Sequence, residues 1–263
     1  MDYMNNDALK WVLTTEYKLK DRSGLYGYTQ RTMAYNSNRI EGSTLTEEQT
    51  AALFEEGYLP ATDEYYKSKD IEEMNGHFLM FNQMIACFGQ PISEEMIKQF
   101  HYELKAGVFE DRANGYAIGE YKKRTNTVGG LTGVAPDEVG EKMAELQNWY
   151  KAQAFVDLNT LAELHARYEL IHPFQDGNGR TGRIILFKEC IENDIVPFII
   201  HNENRTEYVI ALKEAQTGGT CEKLARYFER EQKDYTEKCK LYDIEARYEN
   251  FLTLTKNRKS IKR

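Results

Sequence analysis

Residues 172–183 read His172-Pro173-Phe174-Gln175-Asp176-Gly177-Asn178-Gly179-Arg180-Thr181-Gly182-Arg183, and this stretch decides how the chain is organised. Before it, Leu158, Leu161, Leu164, Tyr168 and Ile171 recur at intervals of three or four, the pattern of one buried helix face. Pro173 disfavours helical backbone in the residue before it, so that helix stops near His172. After it, Ile184, Ile185, Phe187, Lys188, Cys190 and Ile191 restart a buried helix whose N-terminus falls around Gly177–Gly179.

A helix N-terminus presents unpaired amide donors and a partial positive charge. Glycines there let a ligand approach the backbone closely. Arg180 and Arg183 share a face of the first turn, where the helix dipole disfavours a cation by roughly 0.3–1 kcal/mol. A multiply charged anion such as a polyphosphate explains both arginines beside bare amides. Asp176 in the same loop suits Mg²⁺, which is commonly held by one or two carboxylates together with substrate phosphates. Asn178 is read as a donor to a phosphate oxygen. His172 is the one group present that accepts a proton near pH 7. Together these groups point to phosphoryl or nucleotidyl transfer.

Gly177, Gly179 and Gly182 also match GxGxxG, with Glu203 about 20 residues beyond, as in a dinucleotide fingerprint. That fingerprint must follow a strand, whereas the residues before His172 have helical spacing. No GxxxxGK[ST] is present, which excludes a P-loop by pattern.

Working outward, the same rules predict mostly helices. One spans about 24–41 on Tyr26, Met33 and Ile40, with Gly42 as its stop. Thr46 and Gln49 form a capping box that opens a second, ending near Gly57. Further helices are expected at 68–88, 93–106 (started by Ser93), 136–153, 158–171, 178–193, about 204–216 and 220–250. Residues 115–133, broken by Gly115, Gly119, Gly129, Gly130 and Gly133, read as an irregular loop or a β-hairpin. The last eight residues, rich in Lys and Arg, read as a frayed tail. The fold class is all-α with a small β appendage.

Composition narrows the partners. The chain has 263 residues, with 34 basic against 42 acidic side chains and a net charge of −8. Net acidity argues against a protein that coats nucleic acid. The acidic start MDYMNNDALKWVL is not expected to be a secretory signal, and no stretch approaches the roughly 20 apolar residues that span a bilayer. Cys87, Cys190, Cys221 and Cys239 are widely spaced without a CxxC pair, and reduced thiols in a cytoplasmic setting are expected.

The motif HPFQDGNGRTGR resembles that of the Fic family of the Fido superfamily, HPFx[D/E]GNGRxxR, at every fixed position. The resemblance extends over roughly residues 35–230. It implies a Fic-type helical bundle with a β-hairpin flap, and transfer of AMP from Mg-ATP to a Ser, Thr or Tyr hydroxyl of a target protein. On this resemblance His172 is the base and Asp176 holds Mg²⁺. Gly177, Asn178, Gly179 and Arg180 cradle phosphates, Arg180 and Arg183 bind the β- and γ-phosphates, and Phe174 anchors the loop. Ser37-Asn38-Arg39-Ile40-Glu41-Gly42 resembles the family's inhibitory motif [S/T]xxxE[G/N], placed ahead of the catalytic motif as in the class with an N-terminal inhibitory helix. Glu41 is then expected to pair with Arg183 and keep the γ-phosphate from its productive position. Ser37, four residues before Glu41, is expected to hold that carboxylate by a hydrogen bond.

Residues 119–133 resemble the flap that docks the target by strand addition, with Thr127, Val128 and Gly129 as docking positions. Lys122, Lys123 and Arg124 are read as cations near the phosphates. Asn204 and Tyr208 are placed near the nucleoside. His77, His101, His165 and His201 are read as structural.

The expected layout is N-terminal helices over 1–57, a catalytic core over 58–232, and a C-terminal helix with basic tail over 233–263, in one structural domain. Self-modification is expected, and a homo-oligomer is left open. The competing readings are removal of AMP, transfer of another nucleotide or phosphoryl group on the same scaffold, and a non-catalytic nucleotide-responsive module.

Overall fold

The computed structural model describes residues 4–59, 65–128 and 131–261. Its helices are α1 (Asn6–Leu19), α2 (Leu25–Ile40), α3 (Glu47–Glu56), α4 (Ser68–Ala86), α5 (Glu94–Lys105), the short α6 (Phe109–Ala113), α7 (Val139–Lys151), α8 (Leu158–Ile171), α9 (Asn178–Glu192), α10 (Arg205–Gln216), α11 (Glu222–Lys240) and α12 (Ile244–Ile261). A 3₁₀ turn, Asn202–Asn204, leads into α10. The architecture is all-α. Among the described residues the only strands are β1 (Thr127–Val128) and β2 (Leu131–Thr132), paired antiparallel with Thr127 opposite Thr132.

Local chemistry sets several of these boundaries. Thr46 accepts from the Gln49 amide while Gln49 caps Thr46 in return, and Gly57 closes α3 at φ 79°. Ser93 caps α5 through the Met96 amide, and Asp157 caps α8 through that of Thr160. Helix α1 was not anticipated. Asn5 opens it by accepting from Asp7 and Ala8, and Leu9, Val12 and Leu13 bury its inner face. The helix expected over 220–250 is two helices, parted at Leu241–Asp243, where Asp243 takes φ 48°. The tail expected to fray is helical to Ile261, and α12 lies along α1. Helix α11 runs unbroken across residue 232, where a boundary was expected.

Helix α9 is the centre of the molecule. Every residue from Arg180 to Ile191 is buried, and α2, α4, α5 and α8 surround it. Its run from Ile184 to Phe187 is apolar all round, as a helix packed on every side must be. Its N-terminus carries the His172–Arg183 loop, so the core fixes the site from below. No helix among the described residues is long and apolar enough to cross a membrane.

Candidate active site

The loop between α8 and α9 holds itself in shape. His172 closes α8 in the left-handed region, φ 50°, with its amide on the Tyr168 carbonyl. A non-glycine residue there is uncommon and is kept only where its surroundings fix it. Asn178 makes the tightest fixture. Its Oδ1 accepts from the Phe174 amide at 2.8 Å and its Nδ2 donates to the Phe174 carbonyl at 2.8 Å. Asn178, read from the sequence as a donor to a phosphate, thus also shapes the loop through both of its side-chain polar atoms. Phe174 is fully buried, as expected, and stacks on His101 with ring centroids 3.9 Å apart.

His101, a histidine expected to be structural, positions the loop directly. Its Nε2 lies 3.1 Å from the Asp176 carbonyl and its Nδ1 accepts from the Gly119 amide at 2.9 Å. With Nδ1 accepting, Nε2 carries the proton and donates to Asp176.

The base of the hairpin is bolted to the same loop. The Lys122 amide donates to the Pro173 carbonyl at 2.8 Å, and Asn126 Nδ2 donates to the Phe174 carbonyl at 2.9 Å. Lys122 Nζ, buried, donates to Asn126 Oδ1 at 2.7 Å. Lys122 is therefore a fastening between flap and loop, whereas Lys123 and Arg124 are exposed. Thr127 and Val128 form β1, and Gly129 lies outside the described residues.

His172 is suited to accept a proton. Burial, and then the Lys122 ammonium, press its imidazole down to about 4, so it is neutral at pH 7. Glu169 lies behind it, with Oε2 4.0 Å from His172 Nδ1, and burial pushes that carboxyl up to about 8.

Asp176 sits among cations. Its Oδ1 accepts from the Gly177 amide at 2.7 Å and from Arg180 Nη2 at 3.3 Å. Its Oδ2 meets Lys105 Nζ at 2.9 Å and Lys69 Nζ at 3.5 Å. Burial alone would raise its pKa, but Arg180, Lys105 and Lys69 hold it well below the ordinary range. Oxygens of Glu73, Asp111 and Asp176 converge within 4.8 Å of one another. That cluster is not an open metal cage, because Lys105 Nζ also lies 2.5 Å from Glu73 and from Asp111. Asp176 alone of the three keeps a third of its side chain exposed, 36 %, and it faces a cavity of about 680 Å³ shared with Glu41, Lys69 and Arg180.

Arg180 is buried and committed to Glu73 at 2.6 Å, to Asn38 at 3.2 Å and to Asp176. Arg183 is held by the end of α2. Its Nη2 donates to Glu41 Oε1 at 2.6 Å and to the Ser37 carbonyl at 3.0 Å, and its Nε donates to Ser37 Oγ at 2.8 Å. The expected bond between Ser37 and Glu41 is replaced by this one: the hydroxyl lies within reach of the guanidinium, which offers the stronger, charge-assisted donor. Gly42, at φ 96°, turns the chain away after Glu41. Burial alone would raise the Glu41 pKa, but Arg183 and Arg180 hold it below the usual carboxylate range.

The glycines of the loop are explained by close approaches. Gly177 precedes α9 at φ 83°, a conformation that side chains resist. A Cβ on Gly179 would stand 2.3 Å from Glu41 Oε1. Glu41 thus lays its carboxylate against the first turn of α9, the place where an anion is favoured.

The two residues placed near a nucleoside bond elsewhere. Tyr208 is buried with its hydroxyl 2.6 Å from His165 Nε2. Asn204 Nδ2 donates to Glu231 Oε1 at 3.0 Å. Both positions were read from the local motif alone, which does not show the partners that α8 and α11 supply.

Two measurements check this geometry. Asn178→Ala removes both bonds to Phe174 and leaves buried backbone groups short of partners; a loss of about 2 kcal/mol is expected from denaturant unfolding, and a loss too small to resolve would show that the loop does not rest on Asn178. The second is pH. Burial holds His77, His101 and His165 at about 3 and His172 at about 4 in the fold. The unfolded chain takes up those protons from about pH 6.5 downward, so stability is full above 6.5 and falls as pH falls. Glu169, raised to about 8, and His201, raised by Glu231, oppose this and offset part of it. The melting temperature is expected to peak near pH 6.5 and to be several degrees lower at pH 5. A melting temperature that holds or rises on acidification would contradict the burial of these rings.

Residues 91–189 match the Fic/DOC family. The chain is 30 % identical to protein adenylyltransferase Fic of Drosophila erecta over 192 residues, 70 % of this chain and 37 % of that protein. It is 28 % identical to the Aedes aegypti protein adenylyltransferase Fic over 215 residues, 81 % of this chain and 42 % of that one. Protein adenylyltransferase fic-1 of Caenorhabditis briggsae matches at 28 % over 188 residues, 70 % of this chain and 36 % of that protein. The chain thus spans well under half the length of these relatives. Among solved structures, a Fic domain containing signaling protein from Bacteroides thetaiotaomicron superposes with a TM-score of 0.64 at 24 % identity, over 92 % of this chain and 94 % of that one. A fragment of Fic-1 from C. elegans gives 0.70 at 22 % identity, over 88 % and 71 %. These two likenesses establish the fold.

Proposed function

We propose that this chain is a protein adenylyltransferase held in an inhibited state. It transfers AMP from ATP to a Ser, Thr or Tyr hydroxyl of a target protein, and to itself. The names of its relatives and the match of its loop to the Fic motif support the transfer. The observation that carries the inhibited state is the Glu41 carboxylate on Arg183 at 2.6 Å, laid over Gly179.

Neutral His172 takes the proton from the incoming hydroxyl, and that oxygen attacks the α-phosphorus as pyrophosphate leaves. The amides at the start of α9 and the Arg183 guanidinium, once Glu41 withdraws, face the charge of the departing phosphates. Asp176 suits Mg²⁺, being a single ionised and partly exposed carboxylate on a polar cavity; when bound, the metal offsets phosphate charge. The hairpin, fastened to the loop through Lys122 and Asn126, offers β1 (Thr127 and Val128, with Gly129 beyond) as an edge for the target strand. Free thiols at Cys87, Cys190, Cys221 and Cys239 support a cytoplasmic setting.

Incubation with α-labelled ATP and Mg²⁺ tests the reading: label on protein supports it, and protein that stays unlabelled under all conditions overturns it. The ionised, cavity-facing Glu41 favours a second activity, removal of AMP, in which that carboxylate orients a water. Release of label from premodified protein, lost in Glu41→Gly, would establish it.

A further inference from the structure

We propose that Lys69 is a displaceable counter-cation of Asp176, one that a divalent metal must push aside to reach the carboxylate. The inference rests on the metal role proposed for Asp176. Three carboxylates, Glu73, Asp111 and Asp176, meet three cations, Lys105, Arg180 and Lys69, with the exposed Glu110 at the rim 3.8 Å from Lys69.

The three cations are not equally held. Lys105 is 1 % exposed, within 2.9 Å of all three carboxylates, and its departure would leave buried charge uncompensated. Arg180 is 2 % exposed and gripped by Glu73 and Asn38. Lys69 is 32 % exposed and stands 3.5 Å from Asp176, 3.7 Å from Asp111 and 3.8 Å from Glu110, close to every one and bonded tightly to none. It also sits in the first turn of α4, where the dipole disfavours a cation. The cavity that Asp176 faces is lined by Lys69 as well, which gives its side chain room to swing out. The structure therefore ranks Lys69 as the one of the three that yields. It lowers metal affinity while the site is idle, and Lys105 and Arg180 keep Asp176 in place throughout.

The test is binding of Mn²⁺ to nucleotide-free protein, followed by the loss of the free Mn²⁺ electron paramagnetic resonance signal, for wild type, Lys69→Met, Lys69→Arg and Asp176→Ala. Lys69→Met removes a like charge from a partly solvated site, and its half-saturation is expected roughly three- to tenfold below wild type. Lys69→Arg keeps the charge and should stay near wild type, while Asp176→Ala should lose this binding. A Lys69→Met half-saturation equal to or above wild type, with Asp176→Ala still deficient, would overturn the role of Lys69 alone. Equal binding by Asp176→Ala and wild type would remove the metal reading of Asp176 and this inference with it.

Discussion

Glu41→Gly is expected to raise self-modification about ten- to a hundredfold. The substitution removes one charge-assisted bond, worth roughly 1.5–3 kcal/mol, from the guanidinium proposed to face the departing phosphates. In the wild type Arg183 is 4 % exposed, and Glu41 and Ser37 take the donors on its Nη2 and Nε. Its charge is thereby neutralised before a nucleotide arrives. The glycine also clears the space over Gly179, where a carboxylate oxygen now lies 2.3 Å from any Cβ position. The fold should tolerate the change, since position 41 has φ −85°, within the range open to any residue, and Gly42 makes the turn that follows. The measurement is incorporation of label from α-labelled ATP, with the melting temperature as a check on folding. Glu41→Gln retains the acceptor without the charge and should fall between the two. Labelling by Glu41→Gly within a factor of two of wild type would mean that this ion pair does not restrain the reaction.

Much of this was legible in the sequence because it is local. Pro173 stops α8, Thr46 and Ser93 cap their helices, and the Ser37–Gly42 spacing puts Ser37 and Glu41 on one line of α2, whereas the pairing of that line with Arg183 came from the family resemblance. What was not legible is which partners these side chains take. Asn178 and Arg180 were read as phosphate ligands because their motif lies at a helix N-terminus. Yet Asn178 closes its own loop, and Arg180 is claimed by Glu73 on α4 and Asn38 on α2. Tyr208 and Asn204 likewise bond to His165 on α8 and Glu231 on α11, partners that the local motif does not show. On α5, Ile97, Phe100, His101, Leu104 and Lys105 share a face at intervals of three or four, so a histidine and a lysine lie on an apolar stripe. A buried lysine needs an acid and a buried imidazole needs polar partners. Both requirements are met around Asp176.

Replacing His172 is expected to cost transfer activity by about 10²–10⁴-fold, the range for a general base. The comparison is best made in a Glu41→Gly background, where the wild-type rate is high enough to resolve the loss. Position 172 has φ 50°, so alanine there carries roughly 1–2 kcal/mol of backbone strain. His172→Asn is the better probe, because asparagine tolerates the left-handed region and has no basic nitrogen. Nucleotide affinity, measured by calorimetry, should change little in either variant, because the loop is held by Asn178, His101 and Asn126 and not by the imidazole. Binding lost together with turnover would assign His172 to nucleotide binding. The pH profile gives an independent reading of the same group. An ordinary imidazole would lose half its base form near pH 6.5. With burial and Lys122 holding this one at about 4, the rate in Glu41→Gly should stay level from pH 8 down to about 5 and fall only toward 4. Lys122→Met removes the neighbouring charge and should move that fall to higher pH, while a fall already centred near 6.5 in the parent would place the proton acceptor outside this buried environment.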